Sequence, residues 1–131
     1  MITKIPRMFP AGSIAPHGEP YVNMEVELRK YLKKKTPLYI KRSLIPIFSF
    51  DETRAPDGLD TVGVVIGFDG EYFKVNVTNK GAYRLLNAHR DDLAVRIISV
   101  CTNSEMEYGV RVHKILRLEL DYRPSEVYGG D

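Results

Sequence analysis

Hydrophobic and polar residues alternate most regularly between Thr61 and Thr78, in the stretch TVGVVIGFDGEYFKVNVT. A period of two marks strands with one buried face, and Asp69-Gly70 at the middle can supply the two positive φ angles of a type I′ turn. A turn there sets Ile66 opposite Phe73, Val64 opposite Val75 and Val62 opposite Val77, all apolar and on one face. Val65 with Lys74, Gly63 with Asn76 and Thr61 with Thr78 take the other face. A slip of one residue would mix the two faces, so alternation and turn chemistry specify one register.

The flanking pattern is less regular. Residues 1–20 hold Pro6, Pro10, Pro16 and Pro20, with Gly12 and Gly18 between them. That spacing leaves no room for a helix of more than about one turn. Yet Ile2, Ile5, Met8, Phe9 and Ile14 are too apolar for a purely solvated tail. Residues 1–22 therefore read as an extended arm lying on the domain or on a neighbouring subunit. Met8 and Phe9 are its docking candidates, because Pro6 and Pro10 lower the cost of ordering them. Residues 23–35 read as a helix: Asn23 is a good N-cap, Glu25 and Glu27 face the positive end of the dipole, lysines face the negative end, and Thr36-Pro37 stops it.

Leu38 to Phe50 is rich in β-formers, with Pro46 placing it at an edge or a break. Asp51 to Asp60 is a polar loop. After the central hairpin, Asn79-Lys80-Gly81 reads as a tight turn, Tyr83, Leu85 and Leu86 as a short third strand, and Asn87 to Asp92 as a helical turn. Leu93 to Cys101 is a strand. Tyr108 to Leu120 is another, with Val110, Val112, Leu116, Leu118 and Leu120 on one face; Lys114 breaks the alternation, and a bulge near it restores the pattern. Residues 121–131 form a loose acidic tail.

From about Leu44 to Val95 this order of elements resembles the small five-stranded SH3-like barrels, including their Tudor-like and KOW-like relatives. Val62-Gly63-Val64, Gly67-Phe68-Asp69-Gly70, Tyr72, Val75 and Asp92-Leu93-Ala94-Val95 carry the likeness. It implies a binding habit rather than a defined activity, with Phe68, Tyr72 and Tyr83 as contacts on the barrel rim. The expected fold is mainly β (α+β): an SH3-like barrel over about 44–95, an N-terminal helix, the extended arm, and an additional hairpin over about 93–120. All of it except the arm and tail belongs to one compact domain, 23–120.

Composition narrows the function. A chain of 131 residues has room for one domain. No apolar run reaches the ~20 residues of a membrane span, and no signal-peptide core is present, so a cytoplasmic location is expected, in the host if the chain is virus-encoded. Cys101 is the only cysteine, which excludes an internal disulfide and a thiolate metal cluster. Its setting in RIISVC suggests a small buried hydrophobe. The net charge is only +2, but Arg29, Lys30, Lys33, Lys34, Lys35, Lys41 and Arg42 are clustered with no acidic residue among them, and Tyr31 and Tyr39 put rings between the charges. Such a cluster suits phosphates and stacked bases, or an acidic protein partner; its simplest reading is a solvated helix end, and the exposure of the two tyrosines decides. His17, His89 and His113 lack metal-ligand spacing, and no nucleophile elbow, phosphate loop or dinucleotide fingerprint is present.

The expectation is a small non-catalytic adaptor, without metal or cofactor, that docks on a protein as an inhibitor or assembly component. Its short, motif-poor chain is of a kind common among phage-encoded proteins. Self-association through the arm is compatible with this. The alternative is a nucleic-acid-binding module using residues 29–42.

Overall fold

The computed structural model describes residues 1–9, 21–32, 35–41, 59–78, 80–103 and 110–123. They form a mainly β protein whose six strands make one sheet: β1 (Ile2–Pro6), β2 (Thr36–Lys41), β3 (Leu59–Phe68), β4 (Tyr72–Val77), β5 (Leu93–Asn103) and β6 (Val110–Tyr122). The order across the sheet is β1-β4-β3-β2-β6-β5. Neighbours are antiparallel except β2 and β6, which run parallel through Leu38–Leu118 and Ile40–Leu120. The sheet curls into a half-barrel. Its two outer strands meet at one point, where Arg7 bridges Val95 and Met8 N donates to Val95 O at 2.8 Å.

The concave side holds the core. Leu38, Ile40, Val75, Phe73, Leu118 and Leu120 are all buried there, with Ile5 of β1. Helix α1 (Met24–Tyr31) contributes Leu28 and helix α2 (Lys80–Ala88) contributes Ala82 and Leu86. Burying these side chains provides most of the driving force, on the order of 2 kcal/mol for each large one.

The segment expected as an arm thus begins as a strand, β1, paired with β4 from Ile2–Asn76 to Pro6–Tyr72. Residues 10–20 lie outside the described residues. Helix α1 is shorter than 23–35: Thr36 and Pro37, expected only to stop it, open β2 and pair with Val65 and Val64. Of the strand expected over 38–50, the part to Lys41 is seen and the rest lies outside the described residues.

The short third strand at Tyr83, Leu85 and Leu86 is corrected to helix α2. Ala82 and Leu86, one helical turn apart, both reach the core while Arg84 between them is exposed, whereas a strand would put all three on one face. A 3₁₀ turn, Arg90–Asp92, then leads into β5.

The hairpin exists, but its turn is one residue later than expected. Asp69 N donates to Tyr72 O at 3.2 Å, so Gly70 and Glu71 are the central pair, and Gly70 takes the required positive φ of 101°. The Asp69 carboxylate accepts from Tyr72 N at 2.7 Å and Glu71 N at 2.9 Å, an Asx arrangement that prefers this position. Phe68 then faces Phe73 and Val65 faces Val75, with Ile66 as the extra residue of a bulge. The pairs Ile66–Phe73, Val64–Val75 and Val62–Val77 do not form. Val65 enters the core and Ile66 turns outward.

Strand β6 behaves alike. Register shifts against β5 make Leu116 and His113, on either side of Lys114, the extra residues of two bulges. Ile115 is therefore buried and Leu116, expected in the core, is 44% exposed.

Candidate functional site

A cavity of about 510 Å³ lies between Arg7–Phe9, the start of α1 and β5 from Val95 to Cys101. The segments are brought together by the same contacts that close the half-barrel. β1 ends at Pro6, and Arg7 N donates to Glu71 O at 2.9 Å before Met8 reaches Val95. Asn23 at the head of α1 makes no side-chain cap to its own helix. Its amide instead clasps the backbone of Val112, donating to the carbonyl at 2.8 Å and accepting from the N–H at 2.7 Å. This holds the helix against the distal part of β6.

Arg7 is the one basic side chain buried on this wall, with 5% of its side chain exposed. Nη2 lies 2.7 Å from Glu25 Oε1, and Nη1 donates to Glu25 Oε2 at 3.0 Å and to Gly70 O at 3.1 Å. Its guanidinium carbon stands 5.8 Å from the centre of the Phe68 ring. The side chain thus joins the N-terminal segment, α1 and the β3–β4 turn. Its Nε is buried and has no hydrogen-bond partner among the described residues. Beside it the groove wall is apolar, and Phe9, Val22 and Val26 are 53%, 43% and 55% exposed.

Cys101, expected to be buried, is half-buried and lines the groove, with its sulfur 3.3 Å from Ser99 Oγ. Burial pushes the Tyr21 phenol above its ordinary range, with Cys101 adding to the effect.

In the basic segment, Arg29, Lys30, Lys35 and Lys41 are exposed, with Lys30 paired to Glu27 at 3.4 Å; Lys33, Lys34 and Arg42 lie outside the described residues. Tyr31 and Tyr39 are both half-buried. Burial raises the Tyr31 phenol, Tyr39 adds to this and Arg117 opposes it, while Tyr39 pairs in the sheet with the buried Glu119. Neither ring is fully exposed.

Nor do the rim aromatics converge. Phe68 stacks on Phe73 at 4.4 Å, Tyr72 is exposed beside Pro6, and Tyr83 packs against the core and lines a separate cavity with Ile5 and Leu86. His89 packs edge-on against Tyr122, and no group of three or more metal-ligating side chains is found among the described residues. Among those residues, no helix is long and apolar enough to cross a membrane.

Of the described residues put forward from sequence as partner contacts, the structure brings Met8 and Phe9 to this groove. Arg7, Asn23 and Glu25 were missed. The available signal for Arg7 was a lone cation inside the apolar run Ile5-Pro6-Arg7-Met8-Phe9. No protein-family model, curated protein or solved structure matches the chain.

Proposed function

We propose that this chain is a non-catalytic binding module that receives an extended segment of a protein partner along the outer edge of β5. One observation carries the reading: β5 ends the sheet, and the described contacts to its outer edge stop at Val95, where the apolar groove begins. An added strand gains main-chain hydrogen bonds from such an edge, while alternate side chains fill the groove. Phe9, Val22 and Val26 on the rim then serve as the contacts that exclude water. The likeness to SH3-like barrels belongs to the same proposal. It is supported by the β3–β4 hairpin and by the 3₁₀ turn before β5.

The test is capture of partners by the purified protein from nuclease-treated lysate of the cells that encode it, compared with Phe9→Asp and Val26→Asp. Both positions are more than half exposed, so the variants should melt with wild type. The expected result is a protein partner that survives nuclease and is lost with either variant. Retention of nucleic acid alone, with a steep salt dependence weakened by Lys35→Ala and Lys41→Ala, would overturn the proposal in favour of phosphate binding.

A further inference from the structure

We infer that a second cavity, on the side of α1 away from this groove, takes an acidic segment of a protein partner with one aliphatic anchor. The inference rests on the protein-binding reading but concerns a different face. The cavity holds about 450 Å³ between Arg29, Leu32 and Lys35 on one side and Val65 to Phe68 of β3 on the other.

Three observations lead to this occupant. First, the bulge in β3 turns Ile66 out of the core and leaves it 45% exposed. A regular ladder would have kept the alternation and buried it. Bulges commonly re-aim a side chain in this way beside a binding site. Second, the wall around Ile66 is apolar: Leu32 and Phe68 are partly buried against the core, and Gly67 leaves space where a side chain would stand. Third, the rim is cationic. Arg29 and Lys35 are exposed, no acidic residue among the described ones lines the cavity, and no described carboxylate pairs with either cation. Lys74, opposite Gly67, and Lys4, opposite Lys74, continue the positive charge across the outward face of β4 and β1.

An aliphatic socket inside a ring of cations is complementary to a hydrophobic side chain flanked by carboxylates. A single-stranded nucleic acid would stack its bases on flat exposed rings among the cations, and Tyr31 and Tyr39 are half-buried.

Fluorescence anisotropy can test this with three labelled probes: an octapeptide of six glutamates around a central Leu-Leu pair, the same peptide with Gly-Gly at the centre, and an oligo(dT) octamer. The Leu-Leu peptide should bind roughly tenfold more tightly than either control and weaken as salt rises. Ile66→Ser should lower its affinity by roughly tenfold at unchanged melting temperature, since little of that side chain contributes to the core. Joint reversal of Arg29→Glu and Lys35→Glu should abolish binding, and Val26→Asp should leave it intact. Equal binding of either control, an Ile66→Ser variant that binds like wild type, or no binding of any probe would overturn the inference. None of these outcomes bears on partner capture lost with Phe9→Asp and Val26→Asp, which tests the β5 groove separately.

Discussion

Arg7 offers the sharpest test of how the groove is held together. Replacing it with alanine removes two hydrogen bonds, to Glu25 and Gly70, and a further ion-pair contact with Glu25 from a side chain that is 5% exposed. Hydrogen bonds involving a charged group contribute about 1.5–3 kcal/mol in general. Glu25 is 38% exposed, however, so water screens the pair and resolvates the carboxylate once Arg7 is gone; its share falls to about 1 kcal/mol. Loss of the donor to Gly70 O costs about 1 kcal/mol, and the space left by the aliphatic stem costs about 1–2 kcal/mol. The expected loss for Arg7→Ala is therefore about 3–4 kcal/mol, seen as a fall of roughly 10 °C or more in melting temperature for a domain of this size.

Arg7→Met should cost only about 1 kcal/mol, because it refills the space and relieves the burial of an Nε that has no acceptor. A double-mutant cycle with Glu25→Ala, read by urea denaturation, should give a coupling of about 1 kcal/mol. If Arg7→Ala melts within about 2 °C of wild type, or the coupling is zero within error, Arg7 does not tie the three segments together and the argument for a built groove fails.

Other features can be checked independently. A Cβ at Gly63 would stand 2.2 Å from Asn76 O and 2.9 Å from Val77 Cα, both backbone, so Gly63→Ala must force β3 and β4 apart; a loss of about 3 kcal/mol or insoluble protein is expected on thermal melting. Asn23→Ala should leave the Val112 N–H without its acceptor, and hydrogen exchange at that amide should speed up by about tenfold while exchange in β3 is unchanged. The hydrogen bonds from Tyr72 N and then Glu71 N hold the Asp69 carboxyl below its ordinary range. A depressed folded-state value means its stabilisation is present at neutral pH and is lost as pH falls through that value, below about pH 4. The urea midpoint of wild type should accordingly drop more steeply than that of Asp69→Asn on acidification; parallel profiles would show that the turn does not depend on the charge.

The contrast between what was readable and what was not falls along one physical line. Alternation at Phe73, Val75 and Val77 identified a strand with a buried face, because that pattern is local and β4 is regular. Val64 and Ile66 misled, because a single unpaired residue reverses every later side chain and its position is set by the partner strand. Leu116 misled for the same reason. At Tyr83 and Leu86 a short apolar run fits either period, and contact with the core chose the helix. The candidate site was hardest of all: it joins residues near 7, 23 and 97, and no local pattern records which distant segments will meet.

By itself the sequence determined that this is a β-rich chain with a tight turn near Gly70, strands at 72–77 and 93–101, and a helix starting next to Asn23, since these follow from periodicity, turn chemistry and the order of charges along the helix within a few residues. Only the tertiary structure decided that β1 pairs with β4, that β2 runs parallel to β6, and that the curled sheet brings Arg7 to Val95. Those choices depend on which apolar faces can be buried together. That is a property of the whole chain, so it cannot be read from any one stretch of it.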